Sequence, residues 1–107
     1  MGTDPDDVIL MRRVDGTATA TVPHVVRHSP TGIDWGPRSG AAARADLALS
    51  VLTALAGPDV AEERGAMFAA EVVARVPHAG GVIRACDVRA WIPARGGLYH
   101  DPSAIRP

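Results

Sequence analysis

The segment WGPRSG at residues 35–40 holds the residue types best suited to binding chemistry. Its two glycines would let a ligand approach the backbone closely, and the helix predicted after it would expose unpaired amides at its N-terminus. Arginines at positions 38 and 44 would add positive charge. These features are typical of an anion or phosphate site. The candidate binding residues are Trp35, Gly36, Arg38, Ser39, Gly40 and Arg44.

The same loop has two other interpretations. It could be purely structural, with Ser39 capping the helix and Trp35 packing beneath the turn. It could also contact a protein partner through Arg38, because arginine is enriched at interface hot spots. The loop lacks the GxxxxGK[ST] pattern of a phosphate loop, and no dinucleotide-fold pattern precedes it. We therefore expect no cofactor, a binding role rather than catalysis, and a protein partner.

Metal and hydrolytic chemistry have weaker support. His24 and His28 would chelate a metal on a helix, but four residues of extended chain span ~13 Å, too far for one zinc ion. A triad of Ser29 or Ser39 with His28 and Asp34 could be written, yet neither serine lies in a GxSxG elbow. Cys86 is the only cysteine. No metal site and no enzyme activity are expected.

A tight turn is predicted at residues 29–32, SPTG, between β-rich runs at 25–28 and 33–35. Pro30 presets φ for the first corner, and Gly32 would take a positive φ at the exit. Ser29, Pro30 and Gly32 are therefore candidates for a structural motif. Upstream, Asp15-Gly16 predicts a second hairpin with a type I′ turn between runs 8–14 and 17–22. The run 17–22 is a half-exposed, uncharged strand and could pair with a second copy, so a homodimer is left open.

Helical spacing begins directly after the loop. Ala48, Val51, Leu52 and Leu55 fall on one side of this helix, whereas Asp46, Ser50 and Thr53 fall opposite. Gly57-Pro58 predicts its end. A second helix follows to about residue 75, with Gly65 marking either a break or the close approach of a neighbour. A short strand at 82–84 and a last helix at 85–92, ended by Pro93, complete the order.

The expected fold is α+β, with a small antiparallel meander of three to four strands packed on one face by two to three helices. Residues 1–7 would be a disordered lead, 8–93 one domain, and 94–107 an irregular tail. Length and apolar content agree with a single core.

The run SPTGIDWG, then SG, then ADLAL, resembles an uncharacterised family of small phage and bacterial proteins with the signature S-P-x-G-[FI]-x-W-G-x-x-x-S-G-x-A-x-L-A-L. The segment 41–44 departs from that pattern. The resemblance implies a fold and a shared loop, and brings no chemistry with it. It also suggests an accessory protein associated with a phage or mobile element.

Charge and hydropathy limit the partners. The net charge of −1, from eleven arginines and twelve acidic residues, does not favour a nucleic-acid binder. Binding to a nucleic-acid backbone through residues 36–40 and nearby arginines therefore stays the alternative. The N-terminus has no signal-peptide pattern, and no apolar run approaches the ~18 residues of a membrane span. We expect a cytoplasmic protein without membrane contact.

Overall fold

The computed structural model describes residues 5–36 and 40–95. Within them the chain forms a three-stranded antiparallel sheet and three α-helices, which confirms the α+β class. The strands are β1 (Val8–Arg12), β2 (Ala18–Ala20) and β3 (Gly80–Ile83). The helices are α1 (Ala41–Ala56), α2 (Pro58–Glu71) and α3 (Ala85–Arg95), with a one-turn 3₁₀ helix at Val73–Arg75.

The sheet has the order β2-β1-β3, so the first strand is central. The predicted strands at 25–28 and 33–35 are wrong, because both segments are irregular. Their amides bind elsewhere: the N–H of Val25 donates to Ser50 Oγ at 2.8 Å, and that of His28 to Asp46 Oδ1 at 2.9 Å. The sheet is completed instead by β3, which returns from the second half of the chain. It is therefore not a meander.

The predicted hairpin between β1 and β2 is present, but its turn differs. The N–H of Gly16 donates to Arg13 O at 2.8 Å, and that of Arg13 to Thr17 O at 2.8 Å, leaving a three-residue loop. Gly16 has φ 93°, whereas Asp15 does not have a positive φ. A type I′ turn would need both. Asp15 Oδ1 instead accepts from the N–H of Thr17 at 2.9 Å.

Helix α1 is buried over residues 46–52 without interruption. Asp46 and Ser50 are 0% and 1% exposed, so their predicted position opposite the core is wrong. Leu55 is only half-buried. The reason is that α1 packs against α2 on one side and faces the irregular segment 24–29 on another, and this segment supplies polar partners for both residues.

Helices α2 and α3 also differ from the predicted bounds. Gly65 does not break α2; a Cβ there would lie 3.2 Å from Leu49 Cδ2, so α1 approaches closely at this point. Pro93 does not end α3, which continues to Arg95. A proline in the last turn of a helix costs one backbone hydrogen bond. The Arg64 guanidinium of α2 donates to Ile92 O at 2.8 Å and ties the two helices together.

Among residues 5–36 and 40–95, the helices cover one face of the sheet and leave the other exposed. Val8 and Leu10 are 0% and 2% exposed, while Ile9 and Met11 are 43% and 57% exposed. Residues of the predicted lead also contact the fold: Asp7 Oδ1 accepts from the N–H of Ala85, the first residue of α3, at 2.7 Å. Residues 1–4 and 96–107 lie outside the described residues. No helix among residues 5–36 and 40–95 has both the length and the apolar character needed to cross a bilayer.

Candidate functional site

Trp35, the first residue of the predicted binding loop, lies inside the protein. It is 1% exposed, and its indole Nε1 donates to Pro77 O at 2.8 Å and His78 O at 3.2 Å. These two carbonyls belong to the loop that leads into β3. Trp35 therefore holds that loop on the core and is not available to a ligand.

Arg12 closes over the same tryptophan. Its Cζ lies 4.9 Å from the indole centroid, and its Nε donates to His78 O at 2.8 Å. Two further bonds, at 2.7 and 3.2 Å, join its terminal nitrogens to the carboxylate of Asp34. Arg12, Asp34 and Trp35 thus fasten the irregular segment 33–36 to β1 and to the loop before β3.

The carboxylate of Asp34 is the ionic centre of this group. Burial raises its pKa, but hydrogen bonds from Arg12 and from the amides of Gly36 and Trp35 outweigh it and hold the pKa below the usual range. Asp34 therefore stays ionised and bound, and is not poised to exchange a proton near neutral pH.

Of the other residues of the predicted site, Gly36, Gly40 and Arg44 belong to the described structure. Arg44 Nη1 donates to Gly36 O at 2.9 Å, so this arginine supports the loop. Gly40, exposed and with φ 92°, occupies the N-cap of α1, one residue after the predicted cap. Arg38 and Ser39 lie outside the described residues. Trp35, Gly36 and Arg44 come together as predicted, but in a structural arrangement.

The SPTG turn is held by side chains rather than by strand pairing. Ser29, 9% exposed, donates from Oγ to Gly32 O at 2.7 Å, and its N–H donates to Asp46 Oδ2 at 2.9 Å. Gly32 has φ 149°, which confirms its positive φ. The turn therefore exists without the predicted hairpin.

Asp46 is the functional-looking group that sequence analysis missed. Its carboxylate accepts from His24 Nε2 at 2.9 Å and from the amides of Arg27, His28 and Ser29 at 3.1, 2.9 and 2.9 Å. Burial raises its pKa, yet these hydrogen bonds lower it to about 2. The sequence did contain a signal of this buried group. Asp46 is a lone acidic residue inside an apolar run, four residues before Ser50 on the same side of the helix. A buried carboxylate needs such partners.

Neither arrangement forms a catalytic or metal centre. In the proposed triad, Asp34 is held by Arg12 and Ser29 Oγ donates to a carbonyl. His24, rather than His28, is the histidine bound to a carboxylate. Among the described residues, no group of three or more His, Cys, Asp or Glu side chains could hold a metal ion.

A different surface lies at the edge of the sheet, between β3 and the helices. An open groove of about 320 Å³ separates this strand from the 3₁₀ helix and α3, and we call it the β3 groove. Its apolar lining comes from Phe68, Val72, Val76, Val82, Val88 and Trp91. Phe68 and Trp91 meet edge to face, with centroids 5.0 Å apart. Val82 is 51% exposed.

The strand that borders this groove has an unpaired edge. Arg12 N–H donates to Ala79 O at 3.2 Å, and the register pairs Gly81 and Ile83 with β1. Alternate residues of an antiparallel strand face opposite sides, so the N–H and C=O of Val82 point away from β1. No strand in the described part of the chain covers that side.

Comparison with known proteins gives a family and no activity. A model of a family of unknown function, DUF6166, matches residues 2–94. The chain belongs to this family. DUF6166 membership confirms the expected uncharacterised family, while the signature and the phage origin stay predictions. No curated protein matches the chain, and no solved structure matches it.

Proposed function

We propose that this protein is a non-enzymatic binding domain that takes an extended segment of a protein partner along the free edge of β3. The observation that carries the proposal is the position of the β3 groove, which lies directly beside the unpaired backbone of Val82. We place the binding surface here rather than at the loop 35–40, because Trp35 and Arg44 are engaged in holding the fold. Binding through Arg38 and Ser39 stays a prediction.

The unpaired edge of β3 and the apolar β3 groove together favour an extended peptide as the ligand. The backbone of Val82 offers a donor and an acceptor to a peptide that adds as a fourth strand. The groove offers an apolar lining to side chains on alternate positions of that peptide. A globular surface or a small ligand would use only one of these parts.

The outer sheet face supports a macromolecular partner. Ile9 and Val82 are register partners on neighbouring strands, and both side chains are exposed. With Met11 they form an aliphatic surface next to the groove, of the kind that marks protein interaction sites.

The test uses a library of random peptides displayed on phage. Wild type should enrich binders, and Val82→Pro should lose them, because proline removes the N–H at the free edge. The fold should survive, since proline is tolerated on an edge strand where the N–H faces solvent. Val82→Thr keeps the N–H and the shape and is the matched control. Chemical-shift changes in the wild type, mapped by NMR, give the site independently of any variant.

The outcomes separate the candidates. Binders whose shifts fall on β3, α3 and the 3₁₀ helix support the proposal, and binders that shift other regions contradict it. Failure to enrich any peptide also counts against it. Steeply salt-dependent binding of arbitrary duplex DNA would instead favour the nucleic-acid-backbone alternative at the N-terminus of α1.

The broader setting remains part of the proposal. An accessory role in a phage or mobile element is supported by the resemblance of the SPTGIDWG run alone, and the cytoplasmic location stays a prediction. A homodimer is proposed through β2, which the structure places at the other edge of the sheet. A cleft of about 260 Å³ runs between Ala18 of β2 and the segment 29–34. Light scattering at several concentrations tests it: mass rising above one chain supports a dimer, and a constant 11.1 kDa removes it.

A further inference from the structure

We infer that the segment bound along β3 carries acidic side chains, which pair with Arg75 and Arg84. This inference rests on the proposed function and names the chemistry of its partner. Both arginines line the β3 groove and both are exposed. Arg84 follows directly after β3, and Arg75 ends the 3₁₀ helix across the groove.

These two arginines differ from most others in the protein. Five arginine side chains are engaged with a carboxylate or a carbonyl. These are Arg12, Arg27, Arg44, Arg64 and Arg89. Within residues 5–36 and 40–93, whose side chains are described, the guanidinium groups of Arg75 and Arg84 have no hydrogen bond or ion pair. Most arginines with described side chains are therefore engaged in holding the fold, whereas Arg75 and Arg84 lie beside an apolar groove with their guanidinium groups unpaired.

The acidic groups near the groove do not remove this charge. Asp87 lines the groove, in the first turn of α3, where the helix dipole favours a carboxylate. Glu71 accepts from Trp91 Nε1 at 3.1 Å, which places its carboxylate on the indole. Among the described lining residues, two positive charges from Arg75 and Arg84 outweigh the single negative charge of Asp87. A peptide carboxylate would find two planar guanidinium groups able to bind it in bidentate fashion.

A second groove supplies a contrast. It lies between the residues that follow β2 and the N-terminal lead, it includes Asp6 and Asp7, and no arginine is among its described lining residues. Charge therefore distinguishes the β3 groove from this second groove, and an acidic strand is attracted to the β3 groove rather than to the second one.

The test compares three blocked hexapeptides, alternating Val-Glu, Val-Gln and Val-Lys, in titrations followed by NMR at low salt. The Val-Glu peptide should bind about three- to tenfold more tightly than Val-Gln, as expected for one or two exposed ion pairs, and Val-Lys should bind more weakly still. Arg75→Gln and Arg84→Gln should each reduce the preference for Val-Glu over Val-Gln. Arg13→Gln changes an exposed arginine at the far end of the hairpin, and should leave the preference unchanged.

Equal binding of all three peptides at β3 would overturn this inference while leaving the proposed function in place. Absence of binding by every peptide would overturn both. A preference for Val-Glu that survives in both groove variants would also contradict the inference, because the preference would then come from another part of the surface. Loss of the preference at high salt, with binding retained, supports it.

Discussion

The guanidinium of Arg12 lies over the indole of Trp35 while binding both carboxylate oxygens of Asp34. One side chain of the central strand thus holds the irregular segment 33–36, and Trp35 holds the loop that leads into β3. The candidate binding edge therefore depends on Trp35, a residue that the sequence placed in the predicted binding loop.

Removing Arg12 should be costly. Arg12→Gln leaves Asp34 and the carbonyl of His78 without their cation, and we expect the free energy of unfolding to fall by about 2–3 kcal/mol. Urea denaturation at pH 7 measures it. Arg13→Gln, an exposed neighbour, should change stability by less than about 0.5 kcal/mol, and equal effects at the two positions would contradict the arrangement.

Asp46 predicts a dependence on acid. Its folded-state pKa, about 2, lies below its ordinary value of 3.8, so its stabilising effect is complete above pH ~4 and is lost as the pH falls towards 2. Wild type should lose about 2 kcal/mol from this group over that window. Urea denaturation series between pH 2 and 6 should show a shallower fall for Asp46→Asn. An unchanged fall in that variant would mean that the carboxylate is not held as described.

Ser50 should matter more than its polar character suggested. Its Oγ accepts from the N–H of Val25 and donates to Asp46 O at 2.7 Å, and the residue is 1% exposed. Ser50→Ala should destabilise by about 1–2 kcal/mol, because the partly buried amide of Val25 loses its acceptor. Thr53→Ala, one turn further and half-buried, is the control and should be nearly neutral. Identical melting temperatures for both variants would refute the contact.

Gly80 should be the least replaceable glycine at the candidate site. A Cβ at this residue would lie 2.2 Å from Leu10 O, and its φ is 114°. Gly80→Ala should therefore cost roughly 3 kcal/mol or more and displace β3. Gly16→Ala, at φ 93° with open space around it, should cost only about 1 kcal/mol. Thermal melting of both variants measures the difference. Equal losses of stability would mean that only the backbone strain, and not the contact with Leu10 O, matters at Gly80.

Local signals predicted much of the fold. The Asp15-Gly16 hairpin, the helices and the short return strand were all indicated by turn residues and apolar spacing, and they are present. The β-rich letters of 25–28 and 33–35 misled, because strand propensity does not reveal that carboxylates will take the backbone amides. The amides of Arg27 and His28 bind Asp46, about twenty residues further along the chain, and that of Trp35 binds Asp34 Oδ1.

The candidate site was harder to predict for a similar reason. Trp35, Gly36 and Arg44 were rightly grouped, but only the structure shows that the group faces inward. The β3 groove joins residues of α2, the 3₁₀ helix, β3 and α3, and the free edge at Val82 exists because β1 rather than β3 is central. A sequence pattern does not contain that strand order.

Amide hydrogen exchange at Val82 tests the central claim most directly. In the free protein, the amides of Gly81 and Ile83, which face β1, should exchange slowly, whereas that of Val82 should exchange fast. Addition of a saturating peptide from the display selection should slow exchange at Val82 by at least roughly tenfold, because a new strand would accept its hydrogen bond. Binding that leaves the Val82 amide as fast as in the free protein would contradict strand addition at β3.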